Sequence, residues 1–454
     1  MVGLGNVAAL RSGLAPEDRA QSIIHQLGQA ALAAGTKRAG LSLWPPYPVG
    51  VFNHPSMWPA TYQNGGVWDW WAGSQILAEF ECGASDRALD HLLESANHWR
   101  GTGNVPEWFH LPTASDQGSQ EFTGAAGTLG LAVVRGLFGL RIEGDRMSLT
   151  SRLGAKQGGF GARHPATGME VELSQRTGPD WIALDVKSAG HAVGAFSARL
   201  PSGWPDALVL VDDQATAAGV ETRMDDVTTK EVEFFPGRHA FAVLRLGSGD
   251  PREAWRTGYG AFYETGGGLG FWITNASGVG LYDGYKRLGG VDRLGPPISG
   301  RFSLEGSMAQ AVQRAVLVWD PALTRAVPAS TLSLLSKAGL DQWLESRHGI
   351  PAAGAQELSI LDRETALKSA FLTYPDWNEA FGLPVAMAER EAMVVLRTEK
   401  TALQLWKVAT AWGAVPGDVT LVNAGSIALE AGVVPEMAMT PVAGVPPIAG
   451  QGGG

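Results

Sequence analysis

A single cysteine, Cys82, is all that 454 residues contain, so no intrachain disulfide can form and the redox compartment stays open. Cys82 reads as a small buried hydrophobe. Basic charge is also short: 35 lysines and arginines against 45 acids leave a net charge of -10, which argues against nucleic acid or an anionic membrane as partner. No apolar run approaches the roughly 18–20 residues of a membrane span, and the N-terminal residues lack the basic and apolar regions of a signal peptide. Localisation is therefore unmarked in the chain, with a secreted or cell-surface full-length product as the expectation. The nine histidines show no HExxH or comparable spacing, and His91 and His98 read as flanking a packed helix face. The run Gly266-Gly267-Gly268-Leu269-Gly270 lacks the lysine and Ser/Thr of a phosphate loop and reads as a turn; no serine sits in a G-x-S-x-G elbow. Neither metal nor cofactor is expected.

What the chain does have is tryptophan. Seven of its 16 lie between Trp44 and Trp108, interleaved with Gln63, Asn64, Asp69 and Glu107. Pro59 and Asn64-Gly65-Gly66 interrupt regular structure and predict a tight loop that hands the chain to a helix near Val67. In that helix Val67, Trp70, Trp71, Leu77 and Phe80 follow the spacing of a buried face, while Trp68, Ala72, Gln75 and Glu79 form a second face, so it should be packed on both. Aromatic rings beside amides and carboxylates suit a pyranose, with its apolar C–H faces and rim of hydroxyls. The competing reading is a Trp-rich helical core whose polar residues only cap helices.

Three blocks carry a resemblance: Tyr62-Gln63-Asn64-Gly65-Gly66-Val67-Trp68, Pro106-Glu107-Trp108 and Glu121-Phe122-Thr123-Gly124-Ala125-Ala126-Gly127. They resemble the last hairpins of the six-hairpin glycosidases, the (α/α)6 barrel hydrolases that include amylo-α-1,6-glucosidase-like and trehalase-like enzymes. The resemblance implies an inverting reaction with two carboxylates roughly 6.5–9.5 Å apart. It puts Glu107 at the place of the general base, and Tyr62, Gln63, Asn64, Trp68, Trp71 and Trp108 around the sugar. The acid ordinarily comes from earlier in such a barrel; Asp69 and Glu121 are the local candidates, although each also reads as a carboxylate placed at the positive end of a helix. Glu107, Asn64 and Trp68 are expected to line one cleft.

Four helices are predicted before residue 140, over 16–34, from about 67, from Ser85 as cap, and over 120–137, where Gly124, Ala126, Gly127 and Gly130 would admit close neighbours. A twelve-helix barrel would then be N-terminally incomplete, leaving an exposed apolar edge. From 141 to 248 the period changes to two, as in Met169, Val171 and Leu173, and residues 207–211 and 240–244 read as buried strands of an antiparallel β-sandwich. From 255 to 436 an internal repeat appears: Pro297 and Pro384, like Trp319 and Trp406, stand 87 residues apart. The expectation is thus a multidomain α+β chain: partial toroid hairpins (1–140), a β-sandwich (141–248), a duplicated mixed α/β repeat module (255–436) and a flexible tail (437–454). It would act on, or merely bind, an oligo- or polysaccharide; the alternative is a non-catalytic secreted carbohydrate- or envelope-binding protein.

Overall fold

The computed structural model describes residues 2–216, 219–248 and 250–445. Five α-helices precede residue 140: α1 (Gly3–Arg11), α2 (Glu17–Ala33), α3 (Asp69–Cys82), α4 (Ser85–Thr102) and α5 (Thr123–Leu131), the last running into a π-turn at Ala132–Leu137. The additional helix is α1. Its Val7 and Leu10 pack with Ala20, Ile24 and Leu27 of α2 against Ala78 and Cys82 of α3. The central helix is α3, of whose 14 residues 12 are buried. Large apolar side chains stand exposed along this part, among them Leu14, Leu32, Leu93 and Leu131.

Close approach occurs at glycines other than those expected. A β-carbon on Gly127 or Gly130 would meet nothing within 4 Å, whereas one on Gly73 of α3 would lie 2.5 Å from the Thr128 carbonyl carbon of α5. Gly136 likewise seats the ring of Phe80. Within α5 Gly127 and Gly130 face open space while Ala125 is buried.

Of the twelve strands described between residues 141 and 246, Val220–Arg223 pairs with Asp226–Thr229 as a separate hairpin and ten form two sheets. One has six strands in the order 214–216, 206–211, 237–246, 181–189, 170–177, 158–163; the other has four, in the order 232–234, 193–198, 146–151, 141–143. The arrangement is not wholly antiparallel. Arg146–Ser151 pairs in parallel with Val193–Ala198, and the crossover a parallel pair needs is supplied by the three strands laid down in the other sheet. Nor does each region bury its own core. Ile76, Leu77 and Phe80 of α3 and Leu89 and Leu92 of α4 share one cluster with Leu149 and Phe196 of the small sheet and Leu184 and Phe241 of the large one. The large sheet's other face is covered as well: Leu208, Leu210, Ala242 and Leu244 meet Tyr259, Phe262 and Trp272. Burial on both faces is why 207–211 and 240–244 are continuous apolar runs.

Two four-stranded meanders follow, 297–304, 307–312, 315–320, 325–328 and then 384–389, 393–398, 402–406, 419–421. Glycines 87 residues apart precede the two meanders. Gly295 (φ 74°, ψ 175°) and Gly382 (φ 71°, ψ -166°) follow the short helices Gly290–Leu294 and Trp377–Phe381 in a positive-φ conformation that favours glycine. The helix after each meander lies on the other one. Ser333 N of Thr331–Lys337 donates to Glu399 O (3.0 Å), and Ser426 N of Ala424–Glu430 donates to Gln313 O (3.2 Å). The described part of the expected tail is paired rather than free: Val442 and Ala443 add a strand to Gly270 and Leu269, and Trp255 Nε1 donates to Gly444 O (2.8 Å). Residues 446–454 lie outside the described residues. Gly266, Gly267 and Gly268 do form a turn, between the strands Gly260–Gly266 and Leu269–Thr274.

Candidate functional site

The Trp-rich rim is assembled by a loop that needs unusual backbone. Ala60, Tyr62 and Gly65 all have positive φ (64°, 43° and 111°), and a β-carbon on Gly66 would come within 2.4 Å of Tyr62 O. The buried carboxamide of Asn64 holds this loop together: its Oδ1 accepts from Tyr47 N (2.8 Å) and its Nδ2 donates to Met57 O (2.8 Å) and Tyr47 O (3.0 Å). Trp68 Nε1 donates to Tyr62 O (2.9 Å).

From this loop β1 (Val67–Trp68) pairs with β2 (Trp108–His110), which pairs with β3 (Ser115–Gln117). The register sets Trp68 opposite Trp108, and so draws the blocks around residues 62–68 and 106–108 onto one rim. The rings form a contiguous cluster: Trp68 stacks on Trp71 (5.4 Å) and on Trp108 (6.5 Å), and Tyr62 meets Trp68 (4.7 Å) and Trp108 (6.0 Å) edge-on. Trp68 and Trp71 are buried beneath it; Tyr62 and Trp108 are half-buried and Gln63 is exposed. Of the sequence candidates, Asn64, Trp68 and Trp71 thus support the rim from inside, while Tyr62, Gln63 and Trp108 present surface. An open cleft shared by Glu107, Asn64 and Trp68 does not form, because Asn64 is fully buried.

Glu107 is half-buried in the bend just before β2. Its N–H donates to Ser119 O (3.0 Å) and its Oε2 accepts from Ser119 N (2.9 Å), a pairing that fixes the side chain's direction. Gly118, with φ 75°, lies so close that a β-carbon there would sit 2.4 Å from Oε2. Phe122 N donates to Val105 O (2.7 Å), so Glu121 sits on the segment paired with that of Glu107. Glu121 itself is exposed, at φ 53°, with its N–H on Asn104 Oδ1.

Asp69 is differently placed. Only 1% exposed, it meets Arg38 Nη2 at 2.5 Å through Oδ1 and accepts from Trp99 Nε1 (2.8 Å) through Oδ2. Both oxygens are taken, and Arg38 also lies over the Phe109 ring (4.7 Å). Two more pairs went unread in the sequence. His91 Nδ1 meets the fully buried Glu79 at 2.8 Å, and His98 Nε2 meets Asp116 at 2.8 Å. The only signal for them was that Gln75 and Glu79 are polar within a helix face that must be buried. Burial raises the pKa of the Cys82 thiol, which makes it a poor nucleophile. No group of three or more ligand-type side chains suited to a metal is found among the described residues, and no described helix is long and apolar enough to cross a membrane.

No family model and no curated protein matches the sequence. Among solved structures it is similar to an α-L-rhamnosidase from Dictyoglumus thermophilum, at 12% identity and TM-score 0.36 over 53% of this chain and 25% of that one. It is also similar to the Streptomyces avermitilis α-L-rhamnosidase complexed with L-rhamnose, at 14% identity and TM-score 0.34 over 52% and 21%. A GH127 β-L-arabinofuranosidase from Geobacillus stearothermophilus T6 aligns at 11% identity and TM-score 0.24 over 70% and 52%. The chain thus matches a quarter or less of the length of the two rhamnosidases. Likeness at these scores carries no functional argument.

Proposed function

We propose that this is a glycoside-hydrolase-like, carbohydrate-acting protein whose sugar-facing rim is formed by Tyr62, Gln63 and Trp108, with Glu107 in the role of the water-activating carboxylate. The observation that carries the reading is the β1–β2 register, which joins an oriented carboxylate to a stack of aromatic rings at one edge. Rings offer a flat face to sugar C–H groups, and a carboxylate beside them can accept from a hydroxyl or from a water. The helices before residue 140 would correspond to hairpins of a larger α/α toroid, the regions 141–248 and 255–436 being the β-sandwich and the repeat module.

A second, non-catalytic reading is favoured by the state of Asp69. An inverting hydrolase must also deliver a proton to the leaving oxygen, and a missing general acid typically forfeits about 10²–10⁴ in rate. Asp69 is locked between Arg38 and Trp99, which leaves exposed Glu121 as the remaining local acid. Binding without efficient hydrolysis is therefore the expected behaviour of the chain. The test is an assay on aryl-glycosides and α-glucans with the wild type and Glu107→Gln, alongside retention of Tyr62→Ala and Trp108→Ala on gels containing glucan. Turnover near that of Glu107→Gln is expected, with retention weakened in both aromatic variants. Strong turnover abolished by Glu107→Gln would show that the acid lies within these residues. Retention unchanged in both aromatic variants would remove the carbohydrate from this rim.

A further inference from the structure

A cavity of about 880 Å³ lies far along the chain from Glu107, between the two meanders. Its size suits a small ligand buried over much of its surface. One wall is built by the second meander's strands Ala402–Trp406 and Val419–Leu421; the facing wall comes from the helix Ala424–Glu430 and from Arg293 and Arg314 of the first repeat.

Three features of the lining point to one ligand chemistry. First, two indoles meet at its edge, Trp406 and Trp412, with centroids 5.5 Å apart and planes at 80°. Trp406 is fixed by donation from Nε1 to Thr420 Oγ1 (2.9 Å), whereas Trp412 is 63% exposed, an unusual state for a ring that size beside a cavity. Second, the carboxamides of Gln404 and Asn423 line the cavity and make no hydrogen bond among the described residues; such groups donate and accept at once. Third, the formal charges of the lining cancel, Asp292 and Glu430 against Arg293 and Arg314. Glu430 meets Arg347 (2.9 Å) and His348 (3.3 Å), Arg314 Nη1 donates to the carbonyls of Asp292 and Arg293 (both 3.0 Å), and Arg293 lies over the Tyr374 ring (5.1 Å). Flat aromatic faces, free amides and offset charge select a neutral polyhydroxylated ligand over an anion or an apolar molecule.

The duplication supplies an independent indication. Between the equivalent strands the first repeat has only residues 321–324, while the second has 407–418, and that longer loop carries Trp412. The copies have diverged at the place where the second one meets the cavity.

We infer that this cavity is a second carbohydrate site, for a neutral oligosaccharide, separate from the rim of Glu107. Titration calorimetry on the full chain with maltohexaose, cellohexaose, xylohexaose and arabinohexaose tests it. At least one probe should bind with a component that Trp412→Ala weakens about tenfold, the scale of losing one stacked ring. Gln404→Ala should weaken the same component by several-fold. Because Trp412 is mostly exposed, its removal leaves the packed core intact. Glu107→Gln and Tyr62→Ala should leave that component unchanged. The inference is overturned if none of the four binds, if binding survives both Trp412→Ala and Gln404→Ala, or if only the variants at the Glu107 rim abolish it.

Discussion

Replacing Asp69 with alanine should destabilise the helical region by about 3–5 kcal/mol, the cost of leaving one partner of a buried ion pair alone. Arg38 is 7% exposed at its side chain, and its Nε and Nη1 have no hydrogen-bond partner, so Asp69 is the anion that compensates its charge. Trp99 Nε1 would lose its acceptor in the same step. The double variant Arg38→Met, Asp69→Leu should recover most of the loss, since apolar replacement of a whole buried pair is often neutral. Urea unfolding followed by tryptophan fluorescence measures both. A loss below about 1 kcal/mol for Asp69→Ala would place the pair among ordinary surface bridges and reopen Asp69 as a chemical group.

A comparable loss, about 3–5 kcal/mol at neutral pH, is expected for Arg199→Met, which removes the cation joining the helices to the sheets. Arg199 Nε lies 2.6 Å from Asp226 Oδ1, off the line of a good hydrogen bond, while its Nη1 and Nη2 take the two oxygens of Asp86 (2.9 and 2.7 Å). Ser85, expected as a helix cap, instead turns its hydroxyl to Asp226. Asp86 is largely exposed, so the magnitude rests on Asp226, which is 3% exposed. The pH dependence follows from both carboxylates. Burial raises the Asp226 pKa; a raised carboxylate stabilises below its unfolded value and costs stability as pH rises through the folded one, and without Arg199 that cost grows. Hydrogen bonding to Arg199 lowers the Asp86 pKa; its contribution is present above the unfolded value, near 3.9, and disappears as pH falls through the folded one. The variant's deficit should therefore shrink as pH falls from neutral, the Asp226 share above about pH 4 and the Asp86 share below it. A deficit independent of pH would mean that Arg199 acts through packing alone.

Local signals made much of the architecture legible. Pro16, the acids after it and Gly35 bracket a helix observed at Glu17–Ala33, and the expected two-sided packing matches the burial of α3, although Val67 and Trp68, expected within that helix, form strand β1 before it. The 87-residue offset was readable because Pro297 and Pro384 open equivalent strands. What stayed hidden depends on partners distant in sequence. Nothing near Arg146 announces a parallel neighbour at Val193, and nothing near Asp69 announces Arg38, 31 residues earlier. The Pro/Gly/Val composition of 441–445 suggested a free tail, yet β-pairing needs only backbone, and Gly270 and Leu269 supply it. At the rim, residue types were readable but not which way they face: Asn64 has the right chemistry for sugar and directs it entirely inward.

The exchange of helices between the two meanders also matters for how the protein emerges from a ribosome. The first meander's cover includes Gly425, whose β-carbon position lies 1.8 Å from Val312 O, and Ser426, bonded to Gln313 across 113 residues of sequence. At about 5–20 residues per second that stretch takes roughly 6–20 s to synthesise. For that interval the face of Ala309, Ala311 and Val316, which later packs on Ala428 and Val434, has no lid. That apolar face therefore stays open until residues 428–434, well over 100 residues further on, have been made.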